Sequence, residues 1–108
     1  MGDLEHPDID RLLKVLRHPL RRRVLELMID AEPTSPRDLS NELDCTLSTV
    51  AYHVRVLAQS GALEMVHTKQ VRGSTQHFYL AAIEAPQAHH LLSLAEKPDT
   101  GPAGEEIS

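Results

Sequence analysis

Apolar residues recur along this chain with two different periods, and the change of period divides it. From Asp8 onward, Ile9, Leu12, Leu13 and Leu16 fall at i, i+3, i+4 and i+7, one stripe of a helix that turns about 100° per residue. His18-Pro19 interrupts that helix, and Pro19 suits the first turn of a second one. In the second helix Leu20, Val24, Leu27 and Met28, flanked by Leu25, make the inner face. Pro33 and Pro36 bracket a turn. Ser35-Pro36-Arg37-Asp38 then reads as a helix start: a hydroxyl N-cap, a proline at the first helical position and an acid three residues after the cap. That short helix carries Leu39 and Leu43 inward, and Asp44-Cys45 leads tightly to Thr46, a second N-cap.

The segment Thr46–Ser60 is strongly amphipathic. Leu47, Val50, Ala51, Val54, Leu57 and Ala58 share one arc of roughly a third of the circumference. Ser48, Thr49, Tyr52, His53, Arg55, Gln59 and Ser60 take the rest, with Val56 the one apolar intruder and His53 at the edge of the arc. Gly61 follows as a natural C-cap. Beyond it the period falls to two. Leu63, Met65 and His67 alternate with Glu64, Val66 and Thr68; Gln76, Phe78 and Leu80 alternate with Thr75, His77 and Tyr79 around Arg72-Gly73-Ser74. Two strands about a polar, glycine-containing loop predict a β-hairpin with its tip at 69–75. From Ala82 to Glu96 helical spacing returns, with Ala88, Leu91, Leu92 and Ala95 on one side.

These elements predict a mainly α domain with a small β-hairpin over residues 8–82, then a C-terminal helix at 83–96. Residues 1–7 read as a flexible acidic N-terminus. Residues 97–108, with Pro98, Gly101, Pro102 and Gly104 among acids, read as a disordered acidic tail. Two capped helices joined by a turn of three to four residues, the second amphipathic, are the helix-turn-helix arrangement, and the hairpin adds a wing.

Aromatic residues are only 3% of the 108, with no Trp, so Leu, Val and Ala must build the core, which favours packed helices over a sandwich. The single cysteine excludes an intrachain disulfide and a multi-thiolate metal cage. No apolar run approaches the ~20 residues of a membrane span, and the N-terminus lacks a signal-peptide core, so a cytoplasmic protein with no membrane association is expected.

The net charge of −5 argues against a nucleic-acid partner until its distribution is followed. Residues 1–10 hold four acids and no Lys or Arg, and residues 81–108 hold five acids against Lys97. Residues 11–80 hold ten Lys/Arg against seven Asp/Glu. The basic excess lies in Arg11, Lys14, Arg17, Arg21, Arg22 and Arg23, the kind of patch that meets phosphates; the plain alternative is a solvated helix face. The outer face of 46–60 has no acid. Its hydroxyls, phenol, guanidinium and amide are groups that hydrogen-bond phosphates and base edges in a major groove. Ser48, Thr49, Tyr52 and Arg55 are therefore the expected DNA readers, and the expected partner is double-stranded DNA.

The runs HPLRRRVLELM, SPRDLSNELDCTLSTVAYHVRVLAQSGALE and RGSTQHFYLA, over about residues 9–82, resemble the ArsR-like family of winged helix-turn-helix transcriptional regulators. The resemblance implies a homodimeric repressor on a palindromic operator, released by an effector. It also places Leu47, Ser48, Thr49, Ala51, Tyr52 and Arg55 at the family's DNA-facing positions and makes Arg72 the wing-tip arginine. Arg22 of the basic run completes the expected DNA contacts. The end-helix stripes exceed what a core of about seventy residues needs, so Ile9, Leu12, Leu13, Leu16, Leu91 and Leu92 are expected at a two-fold interface, with packing inside one subunit as the alternative.

Other chemistry finds little support. Family metal sensors use paired cysteines before the reading helix or Asp/His sets on the last helix; here 35–43 has no Cys, and adjacent His89 and His90 point about 100° apart. A site combining His6 or His18 across a dimer, or Asp8 and Asp10 with His6, has composition but no geometry behind it. No metal and no cofactor is expected. Cys45 precedes a helix N-terminus, where a thiolate is stabilised, yet its slot is the apolar residue of the turn. Cys45 and His53 lie two helical turns apart, and no glycine-rich phosphate loop follows a strand, so an enzyme is not expected. The remaining alternative is a winged-helix protein-interaction module.

Overall fold

The computed structural model describes residues 8–96, so the readings of 1–7 and 97–108 as flexible or disordered ends lie outside the described residues. The order is α1 (Ile9–Val15), α2 (Pro19–Met28), α3 (Pro36–Leu43), α4 (Leu47–Gln59), β1 (Leu63–Val71), β2 (Ser74–Ala81) and α5 (Ala85–Glu96).

Local signals set the helix ends. The Asp8 carboxylate accepts from the Arg11 amide and starts α1, so this acid is a cap. At the break before Pro19, His18 Nδ1 accepts from the Leu20 amide at 3.1 Å and caps α2. Ser35 and Asp38 exchange both bonds of a capping box, at 3.1 and 3.2 Å, with Pro36 in the first turn of α3. α4 ends in a complete Schellman motif: Gly61 at φ 93° lets its amide reach the Ala58 carbonyl and the Ala62 amide reach Leu57.

The core draws on every helix: Leu12, Leu16, Val24, Leu25, Met28, Leu39, Val50, Val54, Leu57, Ala88, Leu91 and Leu92 are all buried together. α5 packs on α1 and α2. Leu12, Leu16, Leu91 and Leu92, assigned from sequence to a two-fold interface, are thus already covered within one chain. Ile9 is 40% exposed and Leu13 half-buried.

The hairpin is antiparallel and pairs Leu63 with Ala81 through to Val71 with Ser74. An extra residue, Val66, bulges from β1 between Met65 and His67, and strict alternation fails there. Of β1 only Leu63 is buried, whereas Met65 is 52% exposed. On β2 Tyr79 and Ala81 pack against the core. Tyr79 also exchanges two backbone hydrogen bonds with Thr34, at 2.9 and 3.0 Å, which ties β2 to the residue before the α3 cap. The far end of the hairpin projects free of the core, as a wing does.

Candidate nucleic-acid interface

α4 sits in the fold rotated from the position its apolar arc implies. Val50, His53, Val54 and Leu57 face the core, and Leu47 is 40% exposed. The reason is tertiary. α2 and its cap supply polar partners for His53, so the buried face gains an imidazole on one edge and gives up Leu47 on the other. Arg21 Nε donates to His53 Nδ1 at 3.0 Å, and the His18 ring lies 4.4 Å from the His53 ring. Burial foremost, then the nearby His18 and Arg21, hold the His53 imidazole below its ordinary value of 6.5.

The rotation turns Leu47, Ala51 and Arg55, at i, i+4 and i+8, toward the wing. Together with Ser35, Pro36 and Arg37 at the start of α3, and Ser74, Thr75, Gln76, His77 and Tyr79 of β2, they line a cleft of about 480 Å³. None of these residues is acidic. The guanidinium groups of Arg37 and Arg55 have no hydrogen-bond or ion-pair partner among the described residues, so both stand in a groove with no carboxylate in its lining. Beside it Ser48, Thr49 and Tyr52, the last 52% exposed, cover the outer side of α4. The Thr46 hydroxyl caps the helix, accepting from the Thr49 amide at 3.3 Å and donating to the Thr49 hydroxyl at 2.8 Å.

At the wing tip Arg72 and Gly73 both have positive φ, 52° and 84°, which identifies a two-residue type I′ turn. The Arg72 side chain is exposed. Arg22 is placed differently. Its Nη1 donates to the carbonyls of Leu16 (2.9 Å) and Arg17 (3.0 Å), so it closes the end of α1. Arg21 likewise donates to the Val15 carbonyl at 3.3 Å. The structure therefore gathers Leu47, Ala51 and Arg55 in the cleft, sets Ser48, Thr49 and Tyr52 beside it and Arg72 at the wing tip, and leaves the Arg22 guanidinium on backbone oxygens.

Arg37, Gln76 and His77 join the cleft without having been singled out in the sequence. Arg37 carried a usable signal, since a basic residue in the first turn of the helix preceding a reading helix stands near that helix. Gln76 and His77 carried none, because which part of β2 borders the cleft depends on the bulge and on the tie to Thr34. Cys45 is half-buried, with Sγ 3.5 Å from the Leu43 carbonyl. His89 and His90 lie exposed on α5, and no group of three or more His, Cys, Asp or Glu gathers for a metal ion among the described residues. No helix of the described residues is long and apolar enough to cross a membrane.

Comparison with known proteins bears on the fold. Residues 16–66 match the model of a helix-turn-helix domain family, from the end of α1 into β1. Among solved structures, the chain is similar to the homodimeric winged helix-turn-helix DNA-binding domain of Mb0332 from Mycobacterium bovis, a possible ArsR-family transcriptional regulator. The TM-score is 0.60 at 17% identity, over 93% of this chain and 82% of that one. Reduced HlyU from Vibrio cholerae gives a TM-score of 0.58 at 18% identity, over 91% and 87%. No curated protein matches the chain. Residues 16–66 thus match a helix-turn-helix domain model, and the chain has the winged helix-turn-helix fold of these two solved structures.

Proposed function

We propose that the protein is a sequence-specific transcriptional regulator that binds duplex DNA as a homodimer and represses by occluding a promoter. The observation that carries this reading is the acid-free cleft between α4 and the wing, with Arg37 and Arg55 unpartnered inside it. Exposed guanidinium groups in a concave, carboxylate-free surface attract phosphates and can pair bidentately with guanine. α4 would enter the major groove with Ser48, Thr49, Tyr52 and Arg55 toward the bases, while Leu47 and Ala51 offer apolar contact to thymine methyl groups. Arg72 would meet phosphates or a minor groove beside it.

The dimer is supported by the homodimeric state of Mb0332 and by two apolar side chains left exposed on the packed end helices, Ile9 at 40% and Leu94 at 41%. Two copies of α4 about one helical turn of DNA apart would demand a pseudo-palindromic operator. Such a regulator works in the cytoplasm, and an effector would act through the dimer.

The test is selection of a duplex from a random pool, followed by fluorescence anisotropy as a function of salt. The expected result is a site bound in the nanomolar range, about 10⁻⁸ M, with log affinity falling linearly in log salt as counterions are released. If no selected duplex binds more tightly than about 10⁻⁶ M at low salt, the DNA reading fails and a protein-interaction module takes its place.

A further inference from the structure

Three nitrogen-bearing side chains meet where the start of α2 crosses the middle of α4. The His53 ring is 7% exposed, and its Nδ1 accepts from Arg21 Nε at 3.0 Å. Arg21 is anchored in turn on the Val15 carbonyl at 3.3 Å. His18 caps α2 through its own Nδ1, 3.1 Å from the Leu20 amide, and its ring lies 4.4 Å from that of His53 at 49°. On the other side the Tyr52 ring stands edge-on to His53, at 5.1 Å and 69°. His53 is therefore the link between α2 and a residue of the outer face.

Both imidazoles act here as acceptors at Nδ1, and a proton on that nitrogen removes the lone pair the bond requires. Among the described residues nothing nearby would compensate the charge. From α2 and its cap, Arg21 and His18 face His53; from its own helix, Tyr52 does. α3 and β1 also pack on α4 but add no charged group to its electrostatic partners. Among the described residues no carboxylate pairs with His18, Arg21 or His53. The guanidinium stays charged at every relevant pH. A protonated His53 would lose its bond and stand against a fixed cation.

We propose that His18, Arg21 and His53 form a proton-sensitive latch that sets the position of α4 and Tyr52, so that acidification loosens the reading helix and weakens DNA binding. The effect on affinity rests on the DNA-binding reading above; the latch itself is a property of the fold. Burial and the two neighbours hold folded His53 below 6.5, so the unfolded chain takes up its proton first. The latch's stability is then complete above 6.5 and is lost as pH falls from there through the lower, folded value. One such group changes an equilibrium by at most about tenfold per pH unit. A joint loss of stability and affinity at low pH that disappears when His53 cannot take a proton is the latch's own signature.

The experiment measures the urea midpoint and the anisotropy of a selected duplex, on the full chain, at about pH 7.5 and about pH 5.5, either side of the histidine range. Wild type is expected to lose stability and about tenfold in affinity at the lower pH. In His53→Gln the amide oxygen can still accept from Arg21 but takes no proton, and both losses should vanish. His18→Asn keeps an N-cap acceptor and removes one cationic neighbour, so both losses should shrink. Equal stability of wild type at the two values, or a drop of the same size in both variants, overturns the latch. If wild type binds no duplex at about pH 7.5, the DNA reading has failed while the urea midpoints still decide the latch.

Discussion

The arginines of α2 and those around the cleft are the same residue type in opposite situations. Arg21 and Arg22 donate to the carbonyls of Val15, Leu16 and Arg17, and Arg21 also holds His53. Arg23 stands 3.9 Å from Glu26, an i, i+3 partner. Arg37, Arg55 and Arg72 have no such bond among the described residues. The difference lies in what the neighbouring sequence offers. α1 ends directly before α2, and the last carbonyls of a helix carry partial negative charge with no partner of their own. One turn either side of Arg55 stand Ala51, Tyr52, Ala58 and Gln59, none of them an acid. A run of charge in sequence thus marks a binding surface only where no acceptor of the chain's own lies within reach.

Removing an arginine from each set should separate the two roles. Arg22→Met deletes two charge-assisted bonds at a half-buried site and should cost about 2–3 kcal/mol of stability in urea unfolding. Affinity for DNA, measured where the variant is folded, should stay within about twofold, which is less than one good contact. Unchanged stability with weakened binding would instead make Arg22 a phosphate contact, as its place in the basic run suggested. Arg55→Met should do the reverse. It should leave stability within about 0.5 kcal/mol, as exposed substitutions do. Binding to the selected operator should weaken by about 1–3 kcal/mol, the worth of one bidentate base contact.

Helix ends were legible in the sequence because caps are local. Ser35-Pro36 with Asp38, Pro19 after His18, Thr46 and Gly61 each act within four residues, and each stands where it was read. The rotation of α4 was not legible, since hydropathy places Leu47 inside and His53 at the edge, while partners on α2 reverse that order. The arginine directions were hidden for the same reason: they depend on carbonyls five or six residues away whose position the α1–α2 break decides. The bulge at Val66 is likewise invisible to a period-two count. Leu47→Ala tests the rotation. At a 40% exposed position it should cost less than about 1 kcal/mol, well below the 2–5 kcal/mol of a buried leucine. A loss in the buried range would return Leu47 to the core.

The smallest expected effects concern the wing tip, where the two roles of one arginine pull apart. Arg72 holds φ at 52°, a conformation that Asn adopts more easily than a long side chain. A type I′ turn formed by Asn-Gly is the better hairpin, so Arg72→Asn should gain about 0.5 kcal/mol of stability. An arginine at a position that disfavours it points to a use outside the fold. If that use is a phosphate contact, the same variant should lower the slope of log affinity against log salt by about 1, and Arg72→Lys should restore it. A more stable variant with an unchanged slope would leave the cleft arginines as the only outward set and remove the wing tip from the interface.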